Sequence, residues 1–258
     1  MSGFHSTALI SKNAKIGMNV SIGAYSIIYD DVEIGDNTVI GNNSVIYNGA
    51  RIGNNVRILN FASVAHIPQD KKFHNEYSLL YIGDNSIIGN FTTLHRGTEA
   101  TGKTVIGENV IVSHYSHIAH DCLIGNSVYI GSMVQIGGHV EIDEFSVIKD
   151  FTQIHQFCRV GKYVTLEISY KITMDIPPYI YVSQKPLRFM DLNFELFNNH
   201  NFSQEKVKSI NDVYSILYFS GLNFSQAKEK IKNTFPDNPV AKELLEFIEK
   251  SSRGIIGK

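Results

Sequence analysis

Aliphatic residues recur every six positions, in one phase, from one end of this chain to near residue 172. The series runs Ile10, Ile16, Ile22, Ile28 and on to Val64, resumes at Ile82, Ile88 and Leu94, and continues from Ile106 and Val112 to Leu166 and Ile172. The residue after the aliphatic is often glycine, as at Gly17, Gly23, Gly35, Gly125 and Gly137. A flat sandwich would alternate at two, with no fixed glycine offset. A beat of six instead marks a parallel β-helix. Three hexads, 18 residues, make one triangular turn, with the aliphatic of each hexad pointing inward. The neighbouring glycine is expected to take a positive φ at the corner, where it has no Cβ to clash. Each coil hydrogen-bonds to the next at about 4.8 Å. One coil cannot bury its own inner face, so many must stack.

The beat is interrupted at about residues 66–80 and 97–104, and its phase survives both breaks (64 to 82 is 18; 94 to 106 is 12). Loops that leave so regular a scaffold usually carry function, and both are expected to reach over a cleft. The beat stops at Asp175-Ile176-Pro177-Pro178, where two prolines end regular pairing. An irregular stretch is expected to about residue 188, and the period then becomes helical. Short helices are expected over 189–199, from a Ser203 cap to about 219, from a Ser225 cap to about 235, and from Asn238-Pro239 to about 250. The fold is thus mainly β: a coil of hexapeptide repeats over residues 1–188, followed by a small α-helical C-terminal domain over 189–258. The repeat alone does not give the hand of the coil.

The chain has 258 residues, 43% of them hydrophobic, with a formal net charge of −2. That balance gives no nucleic-acid footprint. No apolar run approaches the roughly 20 residues of a membrane span, and the first residues lack a basic stretch followed by an apolar one, so no secretory signal is read there. Cys122 and Cys158 are 36 apart, two coils, hence about 10 Å along the axis. A disulfide needs Cα atoms within about 7 Å. Both read as reduced packing residues of a cytoplasmic protein; the alternative is a reactive thiol.

Six of the ten histidines cluster in the coil between residues 95 and 155: His95, His114, His117, His120, His139 and His155. A turn of 18 stacks His120, Gly138 and Gln156 in one column and Asp121, His139 and Phe157 in the next. An imidazole beside a backbone N–H suffices for acyl transfer. The ring takes the proton of an attacking hydroxyl or amine, and the Gly138 N–H holds the oxyanion. Asp121 is placed to orient an imidazole. Two other readings compete: a polar face merely rich in histidine, and a metal site of His114, His117 and His120. Against the metal, residues at steps of three on a flat strand do not all face one way.

Ser116-His117-Ile118-Ala119-His120-Asp121-Cys122 resembles a motif of the UDP-N-acetylglucosamine O-acyltransferases that begin lipid A synthesis. Leu94-His95-Arg96-Gly97-Thr98, Gly137-Gly138-His139-Val140 and Ile154-His155-Gln156-Phe157-Cys158 are similar to further motifs of that family, in the family's order. So are Asn60-Phe61-Ala62-Ser63, Pro68-Gln69-Asp70, Asp175-Ile176-Pro177-Pro178-Tyr179 and Ser252-Arg253-Gly254. The resemblance spans essentially the whole chain. It implies a left-handed parallel β-helix, a cytoplasmic homotrimer with sites between subunits, and no metal or other cofactor. The implied reaction moves a 3-hydroxyacyl group from acyl carrier protein to the sugar 3-hydroxyl. His120 would be the general base and Gly138 the oxyanion donor. Asp70 and Lys72 would contact the sugar, His95, His117, His139, His155 and Gln156 would line the cleft, and Asn193 and Glu195 would meet the nucleotide. Lys206, Lys208, Lys228, Lys230 and Lys232 could steer the acidic carrier protein; the bland reading is a solvated helix face.

The chain also departs from the family. Asn199 and His200 stand where adjacent basic residues, commonly two arginines, meet the phosphates, which should weaken diphosphate binding. Arg188 is a candidate for the missing charge. Glu167, Ile168, Tyr170 and Lys171 replace small residues along the acyl groove, which bulk would shorten, and Gln184-Lys185-Pro186 replaces a Gly-Asn-His stretch. Three readings follow: the lipid A acyltransferase with a short acyl chain, a paralogue acylating a different nucleotide sugar at an oxygen or an amine, and a non-catalytic scaffold trimer.

Overall fold

The computed structural model describes residues 3–168, 171–184 and 186–258. Tyr170 and Lys185, singled out above, lie outside the described residues. The coil has three faces, each a parallel sheet of very short strands, because one side of the triangle is a single hexad. On one face Ile28 lies over Ile46, then Val64, Leu94, Ile118, Ile136, Ile154 and Ile172. The step of 18 becomes 30 between Val64 and Leu94 and 24 between Leu94 and Ile118. The first loop therefore inserts two whole hexads of length and the second one, so the inward column is never broken. These aliphatics are almost wholly removed from water; Ile46, Ile88, Ile118 and Ile148 are 0% exposed.

The hexad glycines serve a different purpose from the one expected. None has a positive φ. The left-handed corners are taken two residues later, by Asn19, Asn37 and Asn55 at one edge, Phe61, Phe91 and Tyr115 at another, and Asp121, His139 and Phe157 at the third, with φ of 56–63°. Asparagine and aspartate tolerate that region. The aromatic corners offset its cost by stacking on the next coil, Phe61 on Phe91 at 4.7 Å and Phe91 on Tyr115 at 5.0 Å. The glycines are small because the following coil packs against them. A Cβ at Gly17 would lie 2.4 Å from Asp36 Oδ1, and one at Gly125 would lie 2.6 Å from the Glu144 nitrogen.

The coil continues past the double proline. Ile176 bridges to Val160, and Ile180–Ser183 adds a last parallel strand on Thr165–Leu166. Arg188–Leu192 then returns antiparallel on Ile180–Ser183. Residues 188–192, mostly expected to be helical, are a strand because Phe189 and Leu192 point into the core opposite Val182 and Ile180. Helix α1 is only Phe194–Asn199. Helix α2, Gln204–Phe219, starts at the expected Ser203 cap, and α4, Pro239–Glu249, at the expected Asn238 cap. Helix α3, Phe224–Thr234, starts one turn-residue pair earlier than expected, at Asn223, which forms a capping box with Gln226. The helices pack through Val213, Tyr214, Ile231, Leu244 and Phe247. The chain end folds back on the last coil: buried Asp175 accepts from Ser251 Oγ at 2.6 Å, and its N–H donates to the Gly254 carbonyl. No helix among the described residues is long and apolar enough to cross a membrane.

Candidate active site

Asp121 occupies a left-handed corner with φ of 60°. Its Oδ2 accepts from His120 Nδ1 at 2.7 Å, and the carboxylate is fully buried while the imidazole keeps 12% of its surface. Burial pushes the carboxyl pKa up, but hydrogen bonds from His120, Thr101 and Thr98 outweigh it and hold Asp121 well below the usual carboxylate range. The bond to Asp121 keeps a proton on Nδ1, so the lone pair of His120 is at Nε2. A Cβ at Gly138 would lie 2.7 Å from His120 Cε1 and 2.9 Å from Nε2, so only glycine fits beneath the ring. Among the described residues the Gly138 N–H has no backbone acceptor. The imidazole thus lies over Gly138, as the 18-residue column predicts.

His139 stands edge-on to His120, with ring centroids 5.2 Å apart, and stacks on Phe157 at 4.5 Å. Its Nε2 is 3.7 Å from Asp121 Oδ2. Burial lowers its pKa against the pull of Asp121, with smaller effects from His120 and Asp70. His117 is lowered by burial and then by His120, and its Nδ1 meets Thr93 Oγ1 at 2.7 Å.

A groove of about 380 Å³ runs from this point along one face, lined by Gln69, His117, His120, Gly138, His155 and Gln156 among others. His155 Nδ1 faces Arg253 at 2.5 Å, and the Gln156 carbonyl accepts from the same guanidinium at 2.6 Å. Six expected substrate contacts are not among the residues lining this groove: His139 lines another pocket with Asp121 and Phe157, Asp70 is half-buried on the first loop, and the other four lie elsewhere. His95 is 3% exposed and lies behind His117, with ring centroids 4.9 Å apart, so it supports the groove without lining it. Asn193 is 2% exposed; its amide donates to the Tyr163 carbonyl and Thr165 Oγ1 while its oxygen caps α1, leaving its polar atoms engaged in the fold. Glu195, in the first turn of α1, is exposed and not among the groove residues. Lys72 is exposed on the first loop, its N–H donating to Asp70 Oδ1 at 3.0 Å. The first loop does reach the groove, through Gln69. The second does not cover it: residues 97–104 fold against the back of Asp121.

Gln135, Gln153 and Lys171 also line the groove, and they stack below His117 in register, at steps of 18. Arg253 was visible only as part of a terminal motif. Arg188 does not supply charge here, because it donates to the Lys258 carbonyl. His200 packs edge-on against Phe145 and Tyr163.

His120, Asp121 and His139 are a group whose donor atoms converge, all within 4.8 Å. Their bonding is that of a carboxylate-held imidazole: the Nδ1 that faces Asp121 carries a proton and has no lone pair for a cation. His114 stands apart, accepting the Asn90 N–H at 3.0 Å. Cys122 and Cys158 are free and buried, and burial pushes their thiols up to about 12 and about 11, far from a reactive thiolate.

A hexad coil with a carboxylate-held imidazole over a glycine backbone defines an acyltransferase of the parallel β-helix class. Residues 175–256 match the family model described as Udp N-acetylglucosamine O-acyltransferase, domain 2, and residues 13–48 and 103–138 match bacterial transferase hexapeptide repeats. The acyl-(acyl-carrier-protein)–UDP-N-acetylglucosamine O-acyltransferase of Neisseria meningitidis serogroup B is 43% identical over 257 residues, covering 99% of this chain and 100% of its own length. The enzyme of the same name from Chlorobaculum parvum is 43% identical over 255 residues, covering 98% and 97%. The solved UDP-N-acetylglucosamine acyltransferase of Francisella novicida superposes with a TM-score of 0.95 at 35% identity, covering 99% of this chain and 94% of that one. That of Bacteroides fragilis gives 0.94 at 40% identity, covering 98% and 99%. The chain belongs to the UDP-N-acetylglucosamine O-acyltransferase family.

Proposed function

We propose that this chain transfers a 3-hydroxyacyl group from acyl carrier protein to the 3-hydroxyl of UDP-N-acetylglucosamine, the opening reaction of lipid A synthesis, in the cytoplasm. The observation that carries the reading is the meeting of His120 Nε2 with the Gly138 backbone while Asp121 holds Nδ1. The sugar hydroxyl donates its proton to Nε2 as its oxygen attacks the thioester carbonyl. The Gly138 N–H holds the oxyanion. The C–S bond then breaks, and the carrier thiol takes the proton back from Nε2. Asp121 stabilises the imidazolium between the two steps.

Around this centre, Gln69, Asp70 and Lys72 of the first loop and His155 and Gln156 of the groove are assigned to the sugar. Arg253, at the groove edge, is assigned to the diphosphate, where Asn199 and His200 offer no guanidinium. Ile168 is 49% exposed and Lys171 ends the groove, which favours a short acyl chain. Exposed Lys208, Lys230 and Lys232 suit an acidic carrier protein. Lys206 fits that role less well, since its ammonium lies over the Phe202 ring at 3.7 Å. The assembly is a homotrimer, which would bring α1 of one copy, with Asn193 and Glu195, toward the groove of the next.

The test is turnover of the wild type and of His120→Ala with hydroxyacyl carrier proteins of several lengths. The substitution should cost about 10²–10⁴-fold in kcat with the fold intact; retained turnover removes His120 as the base. An acceptor screen of UDP-N-acetylglucosamine against its 3-amino analogue separates O- from N-acylation, and transfer to neither leaves a binding scaffold.

A further inference from the structure

The second interruption of the coil is tied to one side chain. The Thr98 N–H donates to Asp121 Oδ1 at 3.0 Å, and Thr98 Oγ1 donates to Oδ2 at 2.7 Å. Thr101 Oγ1 donates to Oδ1. The Asp121 N–H in turn donates to Thr104 Oγ1 at 2.8 Å. Three threonines at steps of three thus surround one residue, and Thr98 and Thr104 are 6% and 0% exposed. The turn that brings them there is closed by the Gly102 N–H on the Thr98 carbonyl at 2.7 Å, with Gly102 at φ +72°. It also needs Gly97, where a Cβ would lie 2.3 Å from the Lys103 nitrogen.

The chemistry explains why so many donors converge. A carboxylate free to rotate would lengthen and misalign the bond from Nδ1–H, weakening the preference for that tautomer and letting the ring turn. Here Oδ1 accepts from the Thr98 N–H and from Thr101 Oγ1, whose hydroxyl also lies 2.8 Å from the Lys103 carbonyl, and Oδ2 accepts from the Thr98 hydroxyl. The remaining face of Oδ2 meets His120 Nδ1, with His139 Nε2 at 3.7 Å as the other ring nearby. The loop also reaches the one that carries Gln69 and Asp70. Glu76 Oε1 accepts the Glu99 N–H at 3.1 Å while its Oε2 accepts the His74 N–H at 2.7 Å.

We propose that Thr98 and Thr101 are positioning residues of the base: they clamp Asp121 so that only Oδ2 faces His120, which locks the Nδ1–H tautomer and keeps Nε2 open for the acceptor's proton. The inference rests on the acyl-transfer reading only for its kinetic arm. Neither threonine lines the groove.

The experiment compares wild type with Thr101→Val, with the Thr98→Val/Thr101→Val pair and with Thr98→Ser. Thr101 is exposed, so valine there does not threaten folding; Thr98→Ser keeps the donor. The readouts are the His120 tautomer from ¹⁵N-histidine NMR of the resting protein, and kcat and KM for transfer. In the wild type and Thr98→Ser, His120 should be a single Nδ1–H tautomer. In the valine variants it should become a mixture, with kcat falling about tenfold for each lost donor and KM for the nucleotide sugar nearly unchanged. A tautomer that stays locked in the valine variants, or a mixed tautomer with kcat intact, overturns the proposal. If the wild type transfers nothing, the acyl-transfer reading fails, and the tautomer alone decides whether the clamp orders the ring.

Discussion

At the scale of single residues, the histidines divide by burial. His120 and His155 face the groove, whereas His95 is sealed behind it between His66 and His117. Burial, and then the fields of His117, His66 and His120, lower its pKa from 6.5 to about 3. An unfolded chain takes up that proton near pH 6.5 and the folded one only near 3. Between those values the unfolded state binds more protons, so stability must fall as pH falls, by up to about 1.4 kcal/mol per pH unit. Asp121 adds to the acid loss at lower pH, since its native carboxyl is depressed and its contribution disappears as it protonates. A His95→Phe variant removes a buried ring whose Nδ1 has no partner among the described residues, so it should lose little at pH 7. Between pH 6.5 and pH 5 it should lose roughly 2 kcal/mol less than the wild type. Urea unfolding at the two pH values measures both, and parallel slopes would show that His95 titrates elsewhere.

At the scale of elements, what could be read from the residues depended on whether one position repeats another. Ile118 was legible because a neighbour 18 residues away has the same job, and Gly138 because the same step sets it against His120. The same rule would have placed Gln135 and Gln153 beneath His117. Arg188–Leu192 was not legible: a five-residue strand after the last repeat has no second copy to reveal its register, and Phe-x-x-Leu spacing also suits a helix. The loop 97–104 was seen as a loop, yet nothing local shows that its threonines turn inward, because their partner Asp121 is about 20 residues away in sequence. The hexad glycines were located correctly and explained wrongly, and the difference can be measured. If φ were the reason, alanine would strain the backbone alone. Packing against the next coil predicts more, because a Cβ at Gly125 would sit 2.6 Å from backbone that cannot move without opening the ladder. Gly125→Ala should therefore cost about 1–3 kcal/mol. Gly102→Ala, in open space at φ +72°, should cost only the backbone term of about 1 kcal/mol. Thermal or denaturant midpoints of the two variants rank them directly, and the reverse order would restore the conformational explanation.

At the scale of the whole molecule, one corner of the prism carries an unusual surface. Phe61, Phe91, Tyr115, Met133 and Phe151 follow one another coil by coil and are 45–52% exposed. Five coils at about 4.8 Å make this an apolar edge of roughly 20 Å, a patch of the kind that marks an interface. It borders the sheet that carries the groove on one side and, on the other, the sheet that contains Thr165, to which Asn193 is anchored. Three copies meeting at such an edge would set the groove of each against the Asn193 face of the next, a closed ring of heterologous contacts. This corner allows an unusually clean test, because its residues hold left-handed φ, which aspartate accepts more readily than phenylalanine. Phe91→Asp with Tyr115→Asp relieves the backbone while placing charge on the edge, so the coil should stay folded by circular dichroism. Sedimentation should then give a monomer at micromolar concentration for the variant and a trimer for the wild type, as the proposed assembly requires. Turnover should fall at least tenfold, chiefly through KM for the nucleotide sugar, since the missing neighbour would supply nucleotide contacts while His120, Asp121 and Gly138 remain within one chain. A monomer with wild-type KM would mean that the groove is complete without its neighbour.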